Sequence, residues 1–265
     1  MTTAILSSPE QSDHPQAIGL TLRHAHAGWG ETVLFDDLGV SLAGGRWTCL
    51  LGPSGVGKSM LLRMVLGLWQ KGVESRGEVI CDDGRDLSGR VSFMAQQDLL
   101  LPWLSVAENV CLGARLRGEL APTQRKEVYQ QACHHLNEVG LPGHEGDLPA
   151  TLSGGMRQRV ALARTLMEDR PVVLMDEPFS ALDAITRVRL QDMAAAALKG
   201  RTVLLVTHDP LEALRLGHTI HVMSGRPAKL DAPLEIASPQ PRQVDDPEVL
   251  SLQGELLSRL SEAAG

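Results

Sequence analysis

The octapeptide GPSGVGKS, residues 52–59, directly follows the apolar run WTCLL (47–51) and leads into LLRMVLGL. A strand, a glycine-rich turn fitting G-x-x-x-x-G-K-[ST] and a helix, in that order, make a phosphate cradle. Gly52, Gly55 and Gly57 let the backbone wrap around phosphate groups, with Pro53, Ser54 and Val56 completing the loop. Lys58 is expected to bring a cation to the β and γ groups, and Ser59 to offer its hydroxyl to Mg²⁺. The helix that follows adds its dipole at the same point. The pattern predicts nucleotide binding inside an α/β domain. Alone, it does not separate kinases, GTPases and motor ATPases.

Two further apolar runs, VVLM (172–175) and TVLLV (202–206), share the lack of alternation seen in WTCLL. Such runs, bounded by Gly, Pro or Asp, suit parallel strands buried on both faces. The first of the two ends in MDEP. There Asp176 is placed to orient the water shell of Mg²⁺, and Glu177 to act as general base on an attacking water. The plainer alternative is an acidic pair at a strand end before a turn-forming proline. Between 105 and 170 the pattern is helical, and Val128, Ala132, Leu136 and Val139 recur at helical spacing until Gly140 ends the run. Residues 18–45 read as short strands in hairpins. Asp246 and Pro247 read as an N-cap and first helical residue, with Val249, Leu252, Leu256 and Leu260 on one face.

A length of 265 residues fits one large domain or two small ones. The net charge of −7 argues against a nucleic-acid partner. No apolar run approaches the ~20 residues that cross a bilayer, and the opening MTTAILSSPEQSD lacks the form of a signal peptide. These features predict a cytoplasmic chain that reaches a membrane only through a partner. Cys49, Cys81, Cys111 and Cys133 share no C-x-x-C spacing and read as reduced thiols.

A second glycine-rich helix start, in TLSGGMRQRVALAR (151–164), raises the question of why one nucleotide needs two cradles. With LSGGMRQ (152–158) added to the loop at 52–59 and the strand at 172–177, the chain resembles the ATP-binding subunit of an ABC transporter over nearly its whole length. SALD (180–183) is similar to the D-loop of that family, His208 in VTHD to its switch histidine, and Gln96 in MAQQDLLLPW to its Q-loop glutamine. Trp29, twenty-three residues before Gly52, stands where the family places an aromatic that stacks on adenine. The resemblance implies a P-loop, RecA-like α/β core with an antiparallel β subdomain and an inserted helical subdomain at about 97–165. It places the ATP-binding domain at 18–230, between a flexible tail (1–17) and a C-terminal tail with a packed helix (231–265).

The same resemblance implies ATP and Mg²⁺ as cofactors. Glu177, His208 and Gln96 would be catalytic, and Ser59, Gln96 and Asp176 would face the metal, Asp176 through water. Two cassettes would pair head to tail, so that Ser153, Gly154 and Gly155 close over the partner copy's ATP, and Asp183 would also bind nucleotide. The second cradle would then serve the other subunit's nucleotide. Met60 stands where the family usually has threonine, which keeps a backbone N–H but loses a hydroxyl near the α-phosphate. LSGGM replaces the more frequent LSGGQ and leaves the backbone donors intact.

Trp29 as simple core packing, and Trp103 and Pro102 as core instead of a surface for the membrane subunit, remain open alternatives. His24, His26, His134 and His135 read as solvated side chains and not as a metal site. LLLPWLSVAENV resembles the branch importing nitrate, sulfonate, taurine and pyrimidine precursors, and MAQQDLLLPWL is most similar to cassettes for hydroxymethylpyrimidine. The implied partners are permease subunits, a second cassette and, indirectly, a solute-binding protein, at the cytoplasmic face of the membrane. A stand-alone exporter cassette is the competing reading.

Overall fold

The computed structural model describes residues 17–68, 72–119, 121 and 123–264. All of the expected N-terminal tail except Ala17 lies outside them. The chain opens with a long antiparallel hairpin, β1 (Leu20–Trp29) and β2 (Thr32–Leu42). These are two long strands where the sequence suggested several short ones. Left-handed backbone at His24 (φ +51) and Asp37 (φ +53) and shifts in pairing register absorb the polar interruptions as bulges, so pairing continues past them. Next comes β3 (Trp47–Leu51), buried at all five positions, which runs through the glycine-rich loop into α1 (Lys58–Val65). β4 (Glu74–Cys81) pairs with the other side of β1, completing a three-stranded antiparallel sheet in the order β2-β1-β4.

β5 (Val91–Met94) is followed by a helical excursion: α2 (Val106–Val110), α3 (Leu112–Leu116), α4 (Arg125–Glu138) and α5 (Gly154–Met167). In α4, Ala132 and Leu136 are buried and Val128 partly so, and Gly140 at φ +70 terminates the run. The chain then alternates β6 (Val172–Asp176), α6 (Ala184–Ala197), β7 (Thr202–Val206), α7 (Pro210–Leu216) and β8 (Thr219–Gly225). It closes with β9 (Ala228–Leu230), β10 (Leu234–Glu235) and α8 (Pro247–Ala264). Asp246 caps α8 by accepting from the Glu248 and Val249 amides, and Val249 and Leu256 are fully buried.

The main sheet runs β10-β8-β3-β7-β6-β5, parallel from β8 to β5, with β9 and β10 antiparallel to β8. The period of two sends alternate residues to opposite faces. Leu50, Val172, Leu174, Leu204 and Val206 join the core under the antiparallel sheet and α1. Cys49, Leu51, Val173, Met175, Val203 and Leu205 join the core under the helices. Because β3, β5, β6 and β7 are parallel, their carboxyl ends open on one edge, where ligands of open α/β sheets bind. Among the described residues no helix is long and apolar enough to cross a membrane.

Candidate functional site

The loop after β3 needs glycine for steric reasons. Gly52 has φ +149, and a Cβ there would lie 2.4 Å from the Met223 carbonyl oxygen; Gly57 has φ +116, and a Cβ would press on the Phe35 ring at 3.2 Å. Lys58 is buried and folds back across the loop, donating from Nζ to the carbonyls of Gly52 (2.7 Å) and Pro53 (3.0 Å). Burial lowers its pKa from the ordinary lysine value, opposed by the Glu177 and Asp176 carboxylates. Ser54, Gly55 and Ser59 are exposed, and Val56 is buried. The Met60 side chain packs on the core under the antiparallel sheet.

At the end of β6, Asp176 Oδ1 accepts from Ser59 Oγ at 3.1 Å. Burial raises the Asp176 pKa, with the Ser59 hydrogen bond as the main opposing effect. Glu177 turns away from the strand at φ +45, its amide still donating to the Val206 carbonyl (2.9 Å). Its Oε2 accepts from Gln96 Nε2 at 3.2 Å and stands 3.0 Å from His208 Nδ1. Gln96 lies just beyond β5, and His208 just beyond β7. Three strand ends thus bring together the three side chains named as catalytic candidates.

Ser153 is the N-cap of α5, its Oγ accepting from the Met156 amide at 3.3 Å. Gly155 is sterically required, since a Cβ there would sit 2.9 Å from Thr186 Cγ2. An open pocket of about 510 Å³ is lined by Ser153, Gly154, Gly155 and Asp183 among others, and shares no residue with the 52–59 loop. Asp183 caps α6 through the Thr186 amide (3.0 Å), and that hydrogen bond holds its carboxyl below the usual range.

Trp29, at the tip of β1, is 47% exposed, and Trp103 is 71% exposed, so neither indole is core. The partner strand of the Trp29 hairpin carries Phe35 to the phosphate loop. Trp103 stands with exposed Leu99 and Pro102 beyond Gln96. His24 and His26 meet Asp37 and Asp36 at 2.7 Å each, and His135 meets Glu138 at 2.7 Å. Carboxylates do stand beside these histidines, but no group of three or more His, Cys, Asp or Glu among the described residues could hold a metal.

Sequence reasoning missed the polar residues between α6 and α7. Arg187 donates to Asp209 Oδ2 (3.1 Å) and to the Leu182 carbonyl (2.9 Å), joining the 180–183 turn to the residue after His208. Buried Glu212 accepts from Gln191 Nε2 at 3.1 Å, and burial pushes its pKa up to about 7. These partners are 22 and 21 residues apart, beyond any local pattern.

Residues 35–180 match the family model described as ABC transporter. Over 236 residues the chain is 42% identical to an uncharacterized ABC transporter ATP-binding protein of Haemophilus influenzae, covering 87% of this chain and 93% of that protein. It is 40% identical over 243 residues to an aliphatic sulfonates import ATP-binding protein of Burkholderia cenocepacia, covering 90% and 86%. A protein of the same description from Pseudomonas savastanoi is 42% identical over 236 residues, covering 88% and 92%.

Proposed function

The chain belongs to the ABC transporter family as an ATP-binding subunit and ATPase, and from that premise we propose that it powers an importer of a small organic or anionic solute. The relatives named for aliphatic sulfonates favour a sulfonate over the hydroxymethylpyrimidine suggested by MAQQDLLLPWL. The observation that carries the reading is Glu177, held by Gln96 and His208 one residue from the Asp176–Ser59 pair.

In this reading Lys58 exchanges the Gly52 and Pro53 carbonyls for the β and γ phosphates, where its charge meets opposite charge. Glu177 orients a water and takes its proton; His208 and Gln96 hold the carboxylate in place for that transfer. The donor set suits Mg²⁺: a hydroxyl, a carboxylate and an amide oxygen are hard ligands, and Gln96 donates from Nε2 while its Oε1 is left to ligate. Ser59, Asp176 and Gln96 would hold the ion, which would neutralise charge on the phosphate oxygens. Ser153, Gly154 and Gly155 serve the nucleotide of a second cassette. Exposed Leu99, Pro102 and Trp103 face a permease, placing the subunit peripherally at the cytoplasmic face of the membrane.

Glu177→Gln tests the chemistry. The amide keeps the size and loses the basicity, so hydrolysis should fall by roughly 10²–10⁴-fold while ATP binding persists. A variant that hydrolyses at the normal rate would remove Glu177 from the mechanism. The solute is tested separately, by titrating the cognate solute-binding protein with alkanesulfonates, taurine, nitrate and hydroxymethylpyrimidine.

A further inference from the structure

Three side chains of α5 hold the segment from Gln96 to Leu99. Gln158 donates from Nε2 to the Gln96 carbonyl at 2.9 Å, and Arg157 from Nε to Asp98 Oδ2 at 3.0 Å. Arg164 donates from Nη2 to the Asp98 carbonyl at 2.6 Å and from Nη1 to the Leu99 carbonyl at 3.0 Å. Arg157 also donates from Nη1 to the Leu152 carbonyl (2.9 Å), so one guanidinium touches both this loop and the residue before the Ser153 cap. Arg157 and Arg164 are seven residues apart, two turns on one helix face.

The turn they hold is strained. Leu99 has φ +48, a left-handed conformation that crowds any side chain, and the side chain is 57% exposed, so its own burial cannot compensate. The Arg164 fork spans the two successive carbonyls of that turn, which suits a planar guanidinium and not a point charge. Gln96 lies two residues before Asp98, with its amide on Glu177. Exposed Pro102 and Trp103 follow Leu99 by three and four residues.

We infer that Arg164, assisted by Arg157 and Gln158, is a positioning residue of the ATP site. By holding the 98–99 turn it fixes the Gln96 amide against Glu177, and through the same turn it ties that contact to the exposed segment reaching Trp103. The inference rests on the role proposed above for Gln96, and it is independent of what the transporter carries.

The test uses the full chain with Mn²⁺ and a non-hydrolysable ATP analogue, reading Mn²⁺ affinity by electron paramagnetic resonance beside steady-state ATPase kinetics. Gln96→Ala should weaken Mn²⁺ binding. Arg164→Ala should weaken it about three- to ten-fold, the worth of one or two hydrogen bonds, and lower kcat alike, with KM for ATP changed by less than about two-fold. Amide hydrogen exchange at Leu100 and Leu101 should quicken in the same variant. Arg164→Lys, the milder change, should show the same effects in weaker form and decide the matter if Arg164→Ala does not fold; Asp98→Asn, which weakens only the Arg157 contact, tests the assistance of Arg157. Exchanging the charges, Asp98→Arg with Arg157→Asp, should restore part of the loss in Arg157→Asp. Folded Arg164 variants with normal Mn²⁺ affinity and kcat, against a weakened Gln96→Ala, would overturn the inference alone. A Gln96→Ala protein with normal Mn²⁺ affinity would overturn the Gln96 reading and the inference with it.

Discussion

At the scale of single residues, Glu177 combines a left-handed backbone (φ +45) with a carboxylate bound on two sides. Strain of this kind costs on the order of 1–3 kcal/mol and persists where surrounding contacts over-determine it. Here those contacts are the Val206 carbonyl, Gln96, His208 and the Ser180 side chain, which donates to the Glu177 carbonyl at 2.9 Å. Trp29 is the opposite kind of residue, exposed and unstrained at a hairpin tip. If its indole stacks on adenine, Trp29→Ala should weaken ATP and GTP binding together by about 1–3 kcal/mol, because every base offers a π-face. The kcat at saturation should hold. Nucleotide titrations showing unchanged affinity would end the stacking assignment. Lys58, Ser59, Asp176 and Glu177 were legible in the sequence because each sits in a short contiguous pattern at a strand end. Arg164 was not, because its partners are 65 and 66 residues away and backbone carbonyls leave no mark in a sequence.

At the scale of elements, the three mostly apolar runs announced the parallel strands, since a strand buried on both faces has no solvent-facing positions to alternate. The β1–β2 hairpin was harder to read, because bulges at His24 and Asp37 let polar residues interrupt the pattern without ending the strands. The α6–α7 interface holds a polar network no periodicity could reveal. Glu212 is buried there against Gln191 and Thr207, with Asp209 pushing its pKa up and Arg187 pulling it down. Burial dominates and raises it to about 7. A raised carboxylate binds its proton more tightly folded than unfolded, so stability falls as pH rises from the ordinary glutamate value to about 7, then levels off. The loss at neutral pH is at most about 3 kcal/mol. Glu212→Gln removes this titration, so thermal denaturation should show the variant gaining on the parent between pH 5 and pH 7.5. A constant difference across that range would mean that Glu212 titrates normally.

At the scale of the whole molecule, one chain carries two glycine-rich helix starts that share no residue. The loop at 52–59 lies at the strand ends, and the pocket at Ser153, Gly154, Gly155 and Asp183 draws on none of its residues. In the head-to-tail pairing proposed above, each of two chains would lend its Ser153–Gly155 helix start to the other's nucleotide. Glu177→Gln should favour the paired state, because hydrolysis is slowed and one negative charge is removed beside the γ-phosphate. In size-exclusion chromatography ATP with Mg²⁺ should therefore shift that variant from monomer to dimer, and ADP should not. Adding Ser153→Arg should abolish the dimer, since bulk would fill the mouth where the partner's phosphate enters. Ser153 also caps α5, and losing a cap costs about 1 kcal/mol, so Ser153→Ala serves as the control that loses the cap without adding bulk. The Ser153→Arg double variant should still bind ATP through its own 52–59 loop. Loss of ATP binding by its monomer, with Ser153→Ala binding normally, would mean that the second cradle serves its own chain's nucleotide.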